Sequence, residues 1–236
     1  MLIEIAENLW CSEHDLFMPG RVHFPIRMTV IRLRGGGLIL HSPIPIDDAL
    51  AAELAALGPV EHLIAPCKLH HLYLPAAIER YPDAKVHGAP GLAEKRGDIR
   101  FDATLGEGAA PWESELDSLL IGGVPWINEV VFFHRATKTL IVTDLVFNIH
   151  EVRTWMSVLV LRFIARAYRT FAQSRLWRFK TEDRQAVATS ARAVLAWDFT
   201  RVVMAHGRVI DEDAHARTRQ ALAWMLAGQP ALAPAA

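Results

Sequence analysis

Apolar and polar residues alternate, or form short apolar runs, at many points along this sequence, and each such stretch predicts a β-strand. The predicted strands lie at residues 1–10, 27–33, 38–40, 63–65, 85–88, 118–122, 129–133, 139–143 and 201–205. Helical periodicity and helix-end signals predict helices at residues 47–57, 75–81, 90–94, 154–180, 181–197 and 211–227. Prolines and a glycine predict a loop at residues 17–25, and the tail at 230–236 is expected to be frayed.

The order of these elements indicates the architecture. Strands joined by hairpins are followed by helices, and the same order then repeats once. Two sheets that pack face to face, with helices on their outer surfaces, satisfy this order. Because no linker or short repeat divides the chain, residues 1–236 are expected to form a single domain with a helical insert at about 154–180.

Composition narrows the class of protein. A hydrophobic fraction of 52% is ample for a large core, and a net charge of −1 gives no general reason to expect a nucleic-acid partner. Cys11 and Cys67 form no CxxC pair and are expected to be reduced and buried, with a disulfide as the alternative. The N-terminus lacks the features of a secretion signal, and the longest apolar stretch is too short to span a membrane. A cytoplasmic protein without a transmembrane segment is therefore expected.

Three of the predicted strands end beside residue types that bind metal ions. The candidate ligands, each shortly after a strand, are His70, His71, Asp144 and His206. Loops at the ends of buried strands commonly carry the functional residues of α/β proteins, so these side chains are expected to meet. Imidazole nitrogens with one carboxylate suit zinc, iron or manganese. An ion held in this way lowers the pKa of water that it binds and supplies a nucleophile near neutral pH.

Each candidate ligand also has an ordinary structural explanation. Adjacent histidines in a loop are often solvent-exposed, and on a helix the two side chains would point in different directions and could not share an ion. Asp144 would equally suit a cap at the end of its strand, and His206 with Gly207 would suit a plain turn. The hypothesis of a metal site therefore depends on the joint pattern of three strand ends.

Together with this pattern, the sequence resembles the metallo-β-lactamase fold superfamily, of the hydrolase and glyoxalase II type. The resemblance runs nearly end to end, through the segments at residues 5–10, 38–42 and 202–207. More closely, the sequence is similar to a branch with a hydrophobic-Ala-Pro-x-x-x-His-His segment and a Thr-Leu-Ile-x-x-Asp-Leu segment, here at residues 64–71 and 139–145. The resemblance implies an α/β fold, a four-layer αβ/βα sandwich of two mixed sheets flanked by helices.

The superfamily's main metal motif, Thr-His-x-His-x-Asp-His, falls on residues 65–71 with clear departures. Pro66 and Lys68 replace its first two histidines, which hold the first metal in the superfamily. His70 replaces the motif aspartate, and His71 keeps the last histidine. The resemblance therefore implies one divalent ion rather than two, with zinc as the first expectation and iron or manganese as alternatives. The ligands that it implies for this degenerate motif are His70, His71, Asp144 and His206.

The predicted function is that of a metal-dependent hydrolase whose single ion activates water against an ester, thioester, amide or phosphoester of a small-molecule substrate. Asp144 and His71 are the expected catalytic residues. The other residues expected to line the pocket are His41, Lys68, Glu129 and His134. Lys68 would bind an acidic substrate group or replace the charge of the missing metal, unless its side chain points to solvent. Glu129 would act as an extra ligand or base, unless it is an ordinary carboxylate at a sheet edge.

Two other functions are compatible with the sequence. The loss of the first-metal histidines would suit a binding protein that keeps the fold without the chemistry. Residues 154–180 interleave arginines with large apolar residues, a pattern that suits docking on an anionic membrane surface or covering a cleft. The same pattern also suits a packed helix with a solvated basic face. A homodimer is compatible with the sequence, which does not specify an oligomeric state.

Overall fold

The computed structural model describes residues 1–227, apart from the side chain of Ile164, and contains two β-sheets. The first sheet has seven strands in chain order: β1 (Ile3–Ala6), β2 (Leu9–Met18), β3 (Val22–Arg32), β4 (Leu38–His41), β5 (Val60–Ala65), β6 (Lys85–Gly88) and β7 (Ala103–Thr104). The second sheet has four strands, numbered β8 (Leu116–Leu120), β9 (Val130–His134), β10 (Thr139–Val142) and β11 (Arg201–Met204), in the spatial order β11-β10-β9-β8. Both sheets are mixed, because β4 to β7 are parallel in the first and β10 is parallel to β11 in the second.

The described part of the chain also contains eight α-helices. They are α1 (Asp48–Leu57), α2 (Leu74–Arg80), α3 (Leu92–Lys95), α4 (Trp155–Leu159), α5 (Arg175–Phe179), α6 (Arg184–Ala196), α7 (Ala214–Ala221) and α8 (Ala223–Leu226). The two longest helices begin at aspartate caps: the Asp47 carboxylate accepts the Leu50 N–H, and that of Asp183 accepts the N–H groups of Gln185 and Ala186. Among residues 1–227, no helix is both long and apolar enough to cross a bilayer.

Alternation along the strands divides their side chains between two hydrophobic layers. In β4, Ile39 packs in the central cluster that contains residues of both sheets, whereas Leu38 and Leu40 pack with the helices on the outer face of the first sheet. A third hydrophobic cluster lies on the outer face of the second sheet and contains Val187 and Val194 of α6. The layers therefore follow the order helix, sheet, sheet, helix, and the predicted αβ/βα sandwich is confirmed.

The prediction of a loop at residues 17–25 is wrong, because β2 and β3 form a long hairpin that turns through a short 3-10 helix at Pro19–Arg21. Pro25 lies within β3 and pairs with Asp15 of β2. A proline is tolerated there because β4 pairs with β3 only from Thr29 onward, so the other edge of β3 is open at Pro25.

The prediction of one long helix at residues 154–180 is also wrong. Helix α4 continues into a π-helical turn at Val160–Ala165, and the chain then leaves the helical conformation. Arg166 and Arg169 have φ angles of 54° and 53°, in the left-handed region that ends right-handed helices. Helix α5 begins only at Arg175. The frayed tail predicted at 230–236 lies outside the described residues.

Candidate metal centre

Three of the four predicted ligands lie together where the two sheets meet. His70 is in the loop after β5, Asp144 is two residues beyond the end of β10, and His206 is two residues beyond the end of β11. Since β10 and β11 are parallel neighbours, their carboxyl ends lie side by side, and the loop after β5 reaches them from the other sheet. One nitrogen or oxygen of each residue lies within 4.8 Å of the other two.

The distances within this cluster are close to those between neighbouring ligands of a tetrahedral ion. The Nε2 atoms of His70 and His206 are 3.1 Å apart. Asp144 places Oδ2 3.3 Å from Nε2 of His70 and Oδ1 3.2 Å from Nε2 of His206. Ligands about 2.0 Å from a tetrahedral ion are separated from one another by about 3.3 Å. The three side chains therefore need little rearrangement to share an ion.

Each histidine is held at its other nitrogen by a second partner. Nδ1 of His206 lies 2.8 Å from the carbonyl oxygen of Pro25, in the open-edged part of β3. A carbonyl only accepts hydrogen bonds, so this nitrogen carries the proton and donates it. Nδ1 of His70 lies 2.7 Å from the Ser42 hydroxyl, just after β4. Contacts of this kind orient metal-binding histidines and fix which nitrogen faces the ion.

The donor chemistry of the cluster calls for a positive charge at its centre. In neutral His206 the Nε2 atom offers a lone pair, because Nδ1 carries the ring proton, and the Asp144 carboxylate facing it only accepts. Two such groups 3.2 Å apart repel each other unless a proton or a cation lies between them. Two imidazole nitrogens and one carboxylate suit zinc, iron or manganese, so these residues fit a divalent ion.

The pKa shifts of the cluster keep its carboxylate ionised. Burial by itself lowers the pKa of His70, but the charge and hydrogen bond of Asp144 outweigh burial and raise this pKa above its ordinary value. Burial by itself raises the pKa of Asp144, but His70 and His206 outweigh burial and hold the pKa of its carboxyl far below its usual range. The cluster is therefore a buried negative group faced by two imidazoles.

Glu129 lies directly behind Asp144 rather than in the cluster. Its carboxylate is fully buried and accepts the backbone N–H groups of Thr143 at 2.6 Å and Asp144 at 3.0 Å. Burial and the nearby charge of Asp144 raise the pKa of Glu129 to about 7. The structure thus places Glu129 where it fixes the main chain that carries Asp144. The Nε1–H of Trp177 donates to the carbonyl of Asp144 at 2.6 Å and fixes the same segment from the other side.

His71, the fourth predicted ligand, lies apart from the cluster. Its Nδ1 atom is 2.7 Å from a guanidinium nitrogen of Arg96. Because arginine only donates, this nitrogen accepts, and the ring proton of neutral His71 is on Nε2. Neither nitrogen then has a free lone pair for an ion. Burial, with help from Lys95 and Arg96, lowers the pKa of His71.

The other three residues predicted to line the pocket, Lys68, His41 and His134, are not among those that line the cavity over the cluster. The Lys68 ammonium donates a hydrogen bond to the carbonyl of Pro125 at 3.0 Å. His41 is buried between the sheets, with its ring centroid 5.4 Å from that of Phe132. His134 is at the end of β9 opposite to Glu129, and its Nδ1 atom is 2.8 Å from the hydroxyl of Thr137.

A cavity of about 490 Å³ opens over the cluster, and its walls are mostly apolar. The three clustered side chains line it together with Met18, Phe24, Leu69, Leu72, Phe147 and Leu176. In the part of the chain that is described, no lysine or arginine lines this cavity. The site therefore offers a polar floor and an apolar enclosure.

Several residues that shape the site were not identified from the sequence. Ser42 follows β4, the parallel neighbour of β5, so its position beside the loop that carries His70 could have been inferred from strand order. The β2–β3 hairpin, which supplies Phe24 and the Pro25 carbonyl, was hidden by the prolines within it. Trp177 carries no signal in its local sequence that would connect it with Asp144.

Comparison with solved structures shows the metallo-β-lactamase fold. A metallo-β-lactamase from Pontibacter korlensis is 15% identical, with a TM-score of 0.64 over 94% of this chain and 98% of that chain. One from Hirschia baltica is 13% identical, with a TM-score of 0.64 over 98% and 99% of the two chains. The metallo-β-lactamase FIM-1 from Pseudomonas aeruginosa, in its mono-zinc form, is 13% identical, with a TM-score of 0.63 over 96% of each chain. Identities this low show the fold alone.

Sequence comparison identifies the family. A search of curated proteins finds no match. The sequence model of the family described as domain of unknown function DUF4336 matches residues 6–162. This match includes β2 to β10, together with His70 and Asp144, and ends within the π-helical turn. Since it spans more than half of the chain, the protein is a member of the DUF4336 family with a metallo-β-lactamase fold.

Proposed function

We propose that this protein is a metal-dependent hydrolase that uses a single divalent ion held by His70, Asp144 and His206. Zinc is the first candidate for the ion, with iron and manganese as alternatives. The main support is the convergence of two imidazole nitrogens and one carboxylate, 3.1 to 3.3 Å apart, on the floor of a cavity. The second hydrogen bond that holds each histidine adds to this support.

The three side chains have separate roles in this proposal. When bound, the ion supplies Lewis acidity that lowers the pKa of water toward neutrality. His70 and His206 contribute neutral nitrogens and leave the site with one unit of negative charge from Asp144. The carboxylate oxygen of Asp144 that is not used as a ligand accepts a hydrogen bond from water and orients it toward the substrate. Glu129 holds the main chain of Asp144 and is therefore a positioning residue.

The shape and polarity of the cavity favour one class of substrate. Apolar walls enclosing about 490 Å³ suit an ester, thioester or amide with a bulky apolar group. A phosphoester fits less well, because its negative charges would lie beside Asp144 without a lysine or arginine from the described residues that line the cavity. We therefore propose carbonyl substrates rather than phosphoesters.

A binding protein that has lost the chemistry is the second candidate. The observation that favours it is the replacement of two motif histidines by Pro66 and Lys68. The Lys68 ammonium donates to the Pro125 carbonyl, and Lys68 is not among the residues that line the cavity. This candidate predicts a cavity that binds an apolar ligand without any ion and without turnover.

Metal content and hydrolysis together test the proposal. The protein is purified without an affinity tag, and the content of zinc, iron and manganese is measured for the wild type, His206→Gln and Asp144→Asn. His87→Gln is the matched control, because His87 is a buried histidine of the first sheet outside the cluster. We expect about one ion per chain in the wild type and the control and almost none in the other two variants.

Activity is then measured with aryl esters and acyl thioesters of increasing chain length. Hydrolysis that requires the loaded ion, favours long chains and is lost in Asp144→Asn supports the hydrolase. An ion without turnover of any of these substrates contradicts the hydrolase and leaves a metal-binding protein. If no ion is taken up from zinc, iron or manganese solutions, the binding protein becomes the better description.

A further inference from the structure

Large apolar side chains are exposed at the mouth of the cavity and on the segments next to it. They come from the β2–β3 hairpin, the loop after β5 and residues 155–179, and six of them define what we call the rim: Met18, Leu72, Trp155, Phe163, Leu176 and Phe179. Phe179 is 80% exposed, Trp155 72% and Phe163 62%. A water-soluble monomer rarely exposes so many large apolar groups together unless the surface has a partner.

The rim is continuous with the cavity rather than scattered over the surface. Met18, Leu72 and Leu176 line the cavity itself. A shallower groove that carries Phe163 and Phe179 shares Leu176 with the cavity. Helix α4 begins beside the hairpin tip, because the Thr154 hydroxyl donates to the carbonyl of Arg21 at 2.9 Å.

The same region carries a strong positive charge. Residues 152–181 contain seven arginines and lysines and no aspartate or glutamate, in a chain whose net charge is −1. Five of the seven are exposed and form no ion pair with any of residues 1–227: Arg162, Arg166, Arg169, Arg175 and Arg178. Arg175 and Arg178 lie in the groove next to Phe179. Cationic and apolar groups are thus interleaved on one surface.

We propose that the rim docks on an anionic lipid bilayer and holds the cavity mouth against the membrane surface. Aromatic and aliphatic side chains enter the headgroup region, while arginines beside them attract anionic lipids. A second copy of this chain is a poor occupant, because pairing two such faces would oppose two sets of unpaired arginines. The proposal does not rest on the proposed hydrolase, since docking requires neither the ion nor turnover.

Vesicle binding tests the proposal with the full-length protein. Sedimentation with vesicles of phosphatidylcholine alone is compared with vesicles that also contain phosphatidylglycerol, at low and high sodium chloride. We expect binding to the anionic vesicles that weakens as salt rises, because salt screens the attraction between charges. Fluorescence emission from the exposed Trp155 should shift to shorter wavelength on binding.

Two double variants identify the residues responsible. Arg175→Gln/Arg178→Gln and Phe163→Ser/Phe179→Ser should each weaken binding to anionic vesicles by about tenfold or more. The charge-matched control is Arg34→Gln/Lys85→Gln, which removes one positive charge two residues after the end of β3 and one at the start of β6. This control should bind within about twofold of the wild type, since its changes lie away from the rim. Because the substituted side chains are largely exposed, unchanged urea unfolding curves will show that the variants fold.

Three results would overturn the proposal. The first is no binding to anionic vesicles at low salt. The second is equal weakening by Arg175→Gln/Arg178→Gln and by the control, which would indicate a general charge effect. The third is a wild-type dimer in sedimentation velocity that Phe163→Ser/Phe179→Ser dissociates, which would assign the rim to a second copy of the chain.

Discussion

Two pairs of histidines in this protein have nearly the same geometry and different surroundings. Nε2 of His70 lies 3.1 Å from Nε2 of His206, and Nδ1 of His62 lies 3.2 Å from Nε2 of His87. Only the first pair faces a carboxylate, that of Asp144, and only the first pair lines the cavity. The comparison shows that close imidazoles alone do not make a metal site, because the negative charge and the access route distinguish the two pairs.

The second pair is part of the core between the sheets. The ring of Trp112 lies against both histidines, with centroids 5.1 Å from His62 and 4.7 Å from His87. Burial, with the neighbouring His62, lowers the pKa of His87 to about 4, and burial also lowers the pKa of His62. Burial outweighs the opposing charges of Glu61 at His62 and Asp102 at His87, so these imidazoles remain neutral near pH 7. At His70, the same burial is outweighed by Asp144, and the pKa moves upward.

The largest expected effect concerns His87 and the acid stability of the metal-free protein. Between pH 6.5 and 4, the unfolded chain binds a proton at His87 that the native state does not bind. The free energy of unfolding should therefore decrease as the pH is lowered through this window. The decrease from this residue should be about 1.4 kcal/mol per pH unit and about 3 kcal/mol in total. Urea unfolding at a series of pH values measures the slope.

The matched variant for this prediction is His87→Gln, which is neutral at every pH in the window. Its stability at pH 7 should decrease only modestly, because the glutamine amide can replace the hydrogen bond to His62. Its stability should then fall less steeply than that of the wild type on acidification. Parallel slopes in the two proteins would contradict the assignment of a depressed pKa to His87.

An effect of intermediate size is expected at Ser42, whose hydroxyl contacts His70 of the first pair. Ser42→Ala removes the hydroxyl that holds Nδ1 of His70 at 2.7 Å. Loss of such an orienting contact typically weakens metal binding by about 10- to 100-fold, equivalent to about 1.4 to 2.7 kcal/mol. Competition with a metal-binding dye measures the dissociation constant.

Ser190→Ala is the control for Ser42→Ala. The Ser190 hydroxyl is also buried and also hydrogen-bonded, but its partners are the Ala186 carbonyl in α6 and the Gly122 N–H just after β8. This variant should leave the affinity for the ion unchanged. Equal weakening in both variants would show that lost stability, rather than orientation of His70, explains the effect.

The fold and most of the cluster could be predicted because both depend on patterns that are local in the sequence. Apolar strands can be identified from their composition, and three of them end near His70, Asp144 and His206. The structure brings these three side chains together. The direction of a side chain in a loop has no such local signal. His71 is directed away by Arg96, which is 25 residues distant in the chain.

The errors in the predicted elements have the same origin. The helical segment breaks at Arg166, and the chain beyond the break makes long-range contacts, such as the bridge between Phe147 and Ala172, that periodicity does not record. The proline in β3 was interpreted as a strand breaker, although the edge of the strand beside Pro25 is unpaired and needs no N–H donor. Local patterns therefore predicted which residues lie at strand ends, and long-range partners determined what those residues face.

The smallest effect is expected from His71→Ala. This variant tests directly whether position in the superfamily motif or location in the structure determines which histidine binds the ion. His71 keeps the last histidine of the superfamily motif, yet its Nδ1 atom accepts a hydrogen bond from Arg96. The metal content should stay at about one ion per chain, and the dissociation constant should change by less than about twofold, because the three clustered ligands remain intact. Unfolding stability should change by less than about 0.5 kcal/mol, as is usual for a residue that is not deeply buried. A loss of the ion as complete as in His206→Gln would mean that the loop after β5 rearranges on metal binding and exchanges the Arg96 contact for the ion. In that case the ion would have four protein ligands. Water could then bind only if the ion had a fifth coordination position.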